Sequence, residues 1–475
     1  MATRLSAGEI CLAKGIKSIY MAAQVLHLSV SGVFMKKLTS SVTIIVAVII
    51  IAGLAFLYFG NYLEKEEPVI TFNQDISTLG KLKKAEITFS DQKSGLAQIY
   101  AEIIQDNKGR ILIDENIVSR GNKQKTISLI IDTAALKLHD GPALIKLTAG
   151  DHSLLRNQAT VSQQVKIDTV PPQIYPLNPV NNANQGGTCF MAYRISKPVL
   201  STGIYINDYF TPAYPALVDN KPVFLIYFAI PIDSTKTNST IKIFARDDAG
   251  NESIIAFPCL IKEKKFRTDK MNLSDNFLQQ KMPEFQAMVP SLQGKTPLET
   301  FIYVNDRMRN DNFRTIQSIC QKSSPKKLWE GTFLRMPKAK PMALFGDRRT
   351  YLAGGKAIAN STHEGVDLAS TAHAAIEAAN SGITAFAGPL GIYGNAVIID
   401  HGQGLFSLYS HLSAIKTTVG KTVKKAEVIG HSGISGLAGG DHLHFGIIAG
   451  GRFVNPQEWW DAHWINDNVT QKMIF

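Results

Sequence analysis

The stretch GLAGGDHLHFGI, residues 436–447, places His442 and His444 two apart behind a glycine-rich approach. On a β-strand, residues two apart share a face and lie roughly 6 to 7 Å apart along the chain, so both imidazoles can serve one ion or one substrate. Eight of the eleven histidines fall between residues 363 and 463, so this region is where chemistry is to be sought.

Two further stretches bring imidazole or carboxylate next to alternating apolar residues: STHEGVDLAS (361–370) and SLYSHLS (407–413). A hydrolytic zinc site takes three protein ligands from His and Asp or Glu and leaves a fourth position for water. His363, Asp367 and one histidine of the HLH pair satisfy that count. A regular strand would hold residues 363 and 367 about 13 Å apart, so Glu364-Gly365-Val366 must turn, and Gly365 permits it. A helical HExxH site is excluded, because residue 367 is Asp and Gly365 weakens a helix. Between these stretches, GITAFAGPLGIYGNAVIIDHGQGLFSLYSHL (382–412) alternates like strands divided by glycine turns, and TTVGKTVKKAEVIGHSG (417–433) has the form of a tight β-hairpin. An antiparallel sheet carrying the site is expected.

HxxxD, YSHLS, the VGKTVKKAEVIGHSG hairpin and HLHF, in this order, resemble the lysostaphin-type (LytM domain) zinc metallopeptidases, which cut peptide cross-links in bacterial cell walls. The resemblance covers about residues 341–463, roughly a quarter of the 475-residue chain. It implies that His363 and Asp367 bind Zn2+ through HxxxD, that His444 is the third ligand, and that His411 and His442 are the catalytic histidines. The residues by themselves leave open which of His442 and His444 is the ligand. Two positions depart from the family pattern: Asp441 stands where proline often precedes HLH, and Ala426 where the hairpin usually has glycine. His373, His401, His431 and His463 lie outside the motifs and are expected to serve structure or line the groove, not to bind metal. Glu364 is the nearest carboxylate for a base role, but the glycine turn should point it elsewhere.

Outward from this domain the composition changes. Residues 261–340 hold sixteen lysines and arginines against eight acids, with helical periodicity in LSDNFLQQKMPEFQAMV and TPLETFIYVNDRMR. The basic residues are scattered, which reads as a solvated helical linker over 263–340; the charge pattern calls for no nucleic acid. Residues 68–170 and 171–262 show short β-rich runs between turn signals, and the DTVPP junction (168–172) and FARDDAGNES (244–253) resemble bacterial immunoglobulin-like domains. Cys189 and Cys259 fall near opposite ends of the second and would be able to pair in an oxidising compartment; Cys320 reads as a buried thiol.

Residues 38–59, LTSSVTIIVAVIIIAGLAFLYF, carry no charge over a length matching a bilayer core, with Lys36 and Lys37 before and Glu64, Glu66 and Glu67 after. One transmembrane helix with a cytoplasmic N-terminal segment (1–37) is expected, with Met35 as the natural start, so that Cys11 precedes the mature chain. The expected architecture is thus mainly β: the membrane helix, two immunoglobulin-like sandwiches, the helical linker and a LytM-like domain at 341–475. Joined to the resemblance, it implies a periplasmic D,D-endopeptidase at the inner membrane acting on peptidoglycan stem peptides, with protein partners through the sandwiches. A regulatory protein that activates another wall hydrolase is the alternative.

Overall fold

Strands are the commonest element among the described residues, as a computed structural model describing residues 33–178, 181–235 and 237–474 shows. The described residues divide after Asp168 into two units, each taken by itself below.

In the first unit, a helix runs from Val33 to Phe59. Its side chains are described from Thr43 on and are mostly apolar and exposed. Among the described residues no helix is long and apolar enough to cross a membrane, so the expected crossing at 38–59 is not established and is taken up as a proposal. Cys11 and the start of the 1–37 segment lie outside the described residues. Beyond the helix, Val69–Phe72, Leu82–Ser90 and Gln124–Asp132 form one sheet. A second contains, in order, Thr78–Leu79, Gln158–Ile167, Gly141–Asp151, Leu96–Gln105 and Lys108–Asn116. Every second residue turns inward to a shared core containing Ile87, Phe89, Ile103, Leu129 and Leu147.

The second unit begins with two more four-stranded sheets, one built on Thr188–Ile195 and Lys221–Ala229, the other on Ser201–Ile206 and Ile241–Arg246. Met191, Tyr193, Ile226 and Phe228 face the core between them. The opposite face of the first sheet is also buried: Phe190, Ala192, Leu225 and Tyr227 join the core of the C-terminal sheet. Burial on both faces explains the unbroken apolar run TCFMAY. Cys189 and Cys259 are free thiols; the neighbouring Cys259 and burial together push the Cys189 thiol well above its ordinary pKa.

The C-terminal sheet has the antiparallel order Lys340–Ala343, Val366–Ala369, Leu443–Ala449, Leu405–Leu412, Asn395–Asp400, Gly382–Pro389, Thr422–Val423, with Arg452–Val454 paired to Leu443–Ala449. The hairpin expected at 417–433 is not a ladder. Val423 pairs with Gly382 in this sheet, whereas Val428–His431 pairs with Ala375–Glu377 and Ala414–Ile415 in a second sheet. A turn at Lys424–Glu427 passes the chain from one sheet to the other, and partners remote in sequence capture each arm.

Residues 263–340 carry the strand Thr268–Asn272, paired in parallel with Arg348–Ala353, and then the helices Asp275–Met288, Pro297–Tyr303 and Arg309–Cys320. Ser274 caps the first helix, and Thr296 with Glu299 closes a capping box on the second. Their inward residues Leu278, Met282, Phe285, Phe301 and Ile316 belong to the same core as the C-terminal sheet.

Candidate metal centre and active site

The turn demanded between His363 and Asp367 is present: regular strand ends at Thr362 and resumes at Val366. Asp367 then lies directly across from His444 on the neighbouring antiparallel strand, and cross-strand partners share a face. His363 Nε2, Asp367 Oδ1 and His444 Nδ1 form a triangle with sides of 2.9, 2.9 and 3.0 Å. Gly365 is required for more than the turn. A Cβ there would stand 2.6 Å from both His444 Nε2 and the Phe445 carbonyl.

The donor set suits a cation. His363 Nδ1 lies 2.9 Å from the Leu344 carbonyl and donates to it, which leaves Nε2 as a lone pair aimed into the triangle. Asp367 only accepts: burial alone would raise its pKa, but the surrounding imidazoles, His363 first, outweigh burial and hold it well below the usual carboxylate range. His444 Nε2 is buried without a hydrogen-bond partner, so that ring is oriented by its Nδ1 contacts alone. At most one proton is shared among three acceptor atoms. Tetrahedral zinc with ligands at 2.0–2.1 Å spaces them roughly 3.3 Å apart, so the residues present fit that ion with little movement.

His411 and His442 stand beside the triangle, with ring centroids 4.8 Å apart, and His411 is 5.9 Å from His444. Their backbones bring them there differently. His442 immediately precedes the strand Leu443–Ala449, whereas His411 is the penultimate residue of Leu405–Leu412. Regular pairing sets Ser410, not His411, across from His444; a left-handed backbone at His411, φ 60°, breaks the alternation and redirects the ring. Each Nδ1 donates to a carbonyl, that of Ser435 for His411 (2.9 Å) and that of Gly440 for His442 (2.7 Å). Nε2 is therefore the exchanging atom in both. Burial, and then the charge of His442 and His444, push His411 well below the ordinary imidazole pKa; His442 is raised, because the Asp367 carboxylate outweighs its burial.

The remaining residues singled out from sequence fall elsewhere. His401 is fully buried and spends both nitrogens, on the Ser381 carbonyl and the Ser407 hydroxyl, at 2.8 and 2.7 Å. Glu364 turns away beneath Tyr393, whose hydroxyl donates to it at 3.3 Å. Asp441 does not orient a site imidazole: it accepts from the His373 backbone N–H and from Ser432, tying two loops together. Sequence reasoning missed Arg349, whose Nη2 lies 3.3 Å from Asp367 Oδ2 and leaves Oδ1 for the triangle. It also missed the upstream side chains Phe277, Phe301 and Arg309, which wall a cavity of about 730 Å³ over the site. Nothing in their local sequence signals that the helices fold back over the sheet.

A buried His/Asp/His triangle flanked by two imidazoles in a groove is an arrangement that can hold a metal ion beside two groups able to move protons. Residues 361–456 match the model of peptidase family M23. The DD-carboxypeptidase/endopeptidase Mpg of Neisseria meningitidis is 42% identical over 94 residues, 20% of this chain and 22% of that protein. The peptidoglycan DD-endopeptidase ShyA of Vibrio cholerae is 34% identical over 96 residues, 20% of this chain and 22% of that protein. The match thus spans about a fifth of the length of these relatives. Among solved structures, the catalytic domain of lysostaphin from Staphylococcus simulans is 26% identical, with 28% of this chain and 98% of that one covered and a TM-score of 0.24.

Proposed function

We propose that this chain is a zinc-dependent endopeptidase of peptidoglycan, hydrolysing D,D cross-links between stem peptides. The observation that carries the reading is the triangle of His363, Asp367 and His444 with His411 and His442 beside it. The names of the relatives support the substrate class. Zinc, held by those three side chains, supplies a Lewis acid for the scissile carbonyl and acidifies water. His411, kept neutral, accepts the proton of the attacking water at Nε2. His442, protonated at Nε2 while its Nδ1 is held by the Gly440 carbonyl, hydrogen-bonds the developing oxyanion and passes that proton to the leaving amine. Fixing each ring through Nδ1 keeps these roles from exchanging by a ring flip.

The apolar run 38–59 of the helix Val33–Phe59, which follows Lys36 and Lys37, is read as the anchor in a bacterial inner membrane, with the peptidase in the periplasm. The first unit's sheets, three strands facing five with Thr78–Leu79 joined in parallel to Gln158–Ile167, support an immunoglobulin-like spacer that offers a surface to protein partners. The test is cleavage of defined cross-linked muropeptide dimers by the zinc-loaded chain. Conversion to monomers, abolished by a chelator and restored by zinc, is expected. A fully zinc-loaded, folded chain that leaves the dimers intact overturns the reading in favour of a regulatory role.

A further inference from the structure

Helix Pro297–Tyr303 does not stop at Tyr303: it passes through a π-turn, Val304–Met308, and continues as Arg309–Cys320. An extra residue in a helical turn re-aims the side chains around it, and such turns gather at functional sites. Here the turn carries Asn305, which is buried. Its Nδ2 donates to the Asn360 carbonyl at 3.0 Å, on the strand that runs straight into His363. Its Oδ1 and backbone carbonyl accept from Arg309 Nη2 and Nε, at 3.1 and 3.2 Å. One asparagine thus fixes the helix to the strand and the guanidinium to the helix. Arg309, half-buried, is thereby held on the wall of the groove that contains His363, His411 and His444.

The guanidinium so placed is in no ion pair among the described residues. Among the described residues, the other two guanidiniums on this wall are in ion pairs, Arg267 with Asp269 and Arg349 with Asp367, whereas Arg309 has no carboxylate within ion-pair distance. Glu364 feels its charge only from further off. A guanidinium withdrawn from water with donors to spare, and held by its own backbone neighbour in one orientation, is built to accept a planar anion; a carboxylate matches its fork. The residue also lies outside the matched stretch 361–456, so the upstream helices supply it to the site.

We infer that Arg309 is a specificity-determining residue that binds a free carboxylate of the substrate, so that the preferred substrate is an acidic peptide with an unamidated carboxyl group close to the bond cut. This rests on the endopeptidase reading and deepens it.

The test uses the full chain and two synthetic cross-linked peptides that differ only in a carboxylate or a carboxamide beside the scissile bond. Zinc-loaded wild type is expected to favour the carboxylate by about tenfold or more in kcat/KM, chiefly through KM. Arg309→Gln brings the ratio near one with zinc content and Tm unchanged, and Arg309→Lys keeps part of it. Equilibrium binding of the same two peptides to the metal-free chain reads the same preference without turnover. Equal handling of the two peptides by wild type, or full discrimination retained in Arg309→Gln, overturns the inference. So does an Arg309→Gln chain with lowered Tm that loses both peptides equally, which marks a structural role. If zinc-loaded wild type cuts neither peptide while the metal-free chain binds with an Arg309-dependent preference, the endopeptidase reading fails and the role of Arg309 stands.

Discussion

The proposed function gives two histidines separated by one leucine opposite duties, and substitution separates them. His363→Ala, Asp367→Ala and His444→Ala each remove a corner of the triangle and should abolish stoichiometric zinc, measured by metal analysis of the purified chain. His411→Ala and His442→Ala should retain zinc and lose turnover by about 10²- to 10⁴-fold. Zinc loss in His442→Ala with retention in His444→Ala would reverse the assignment. Gly365→Ala should behave like a ligand loss, since its Cβ has no room beside His444 and the Phe445 backbone. Ala426 predicts a gain instead: it holds a left-handed φ of 70°, which glycine adopts without strain. Ala426→Gly should stabilise the chain by about 0.5–1 kcal/mol after the added freedom of the unfolded state is deducted, read from urea unfolding. The five residues that the structure gathers were legible as residue types at fixed spacings, although the spacings alone left open which of His442 and His444 faces Asp367. The redirection of His411 was not, because a positive φ at a non-glycine residue leaves no mark in a strand-like sequence.

At the scale of elements, the joints hold the surprises. Glu458, in the short helix Pro456–Trp459, reaches across to the strand Thr188–Ile195, accepting from the Thr188 N–H at 2.7 Å and from Asn184 Nδ2 at 2.8 Å. Burial pushes its pKa up to about 7 from 4.5. Since the folded value lies above the unfolded one, the folded chain binds more protons between those limits. Its contribution to stability is therefore fully present below about pH 4.5 and is lost as pH rises through about 7, a loss of up to roughly 3 kcal/mol. Glu458→Gln should flatten that part of the stability profile, and an unchanged slope in chemical denaturation at pH 5 and pH 8 would refute the assignment. Strands and helices were readable from periodicity and caps, as in the box of Thr296 and Glu299. Pairing was not, because the arms at 417–433 look adjacent in sequence and the sheet partners that separate them lie as far off as Ala375, which pairs with His431.

For the whole molecule, the core ignores the boundaries that composition suggests. Trp329 and Phe333, from the segment that reads as a linker, pack against Trp459 at 5.4 and 5.3 Å, and Tyr227 of the second sandwich meets the same ring at 5.8 Å. A fragment beginning at Pro341 leaves this apolar surface uncovered and should lose several kcal/mol or aggregate, whereas Thr169–Phe475 should melt in a single calorimetric transition. A soluble fragment with a Tm within a few degrees of the full chain would show that the shared core is dispensable. The scattered lysines and arginines of 261–340 misdirect here: they mark the outer faces of helices whose inner faces are committed, and charge counting registers only the outside. The indole placement has a practical corollary. All four tryptophans, at 329, 459, 460 and 464, belong to the second unit and cluster at the seam between sandwich and peptidase. Intrinsic indole emission is thus a built-in optical gauge of that seam: it will shift when the sandwich peels from the C-terminal sheet, and the residues before Thr169 contribute no indole of their own to blur the signal.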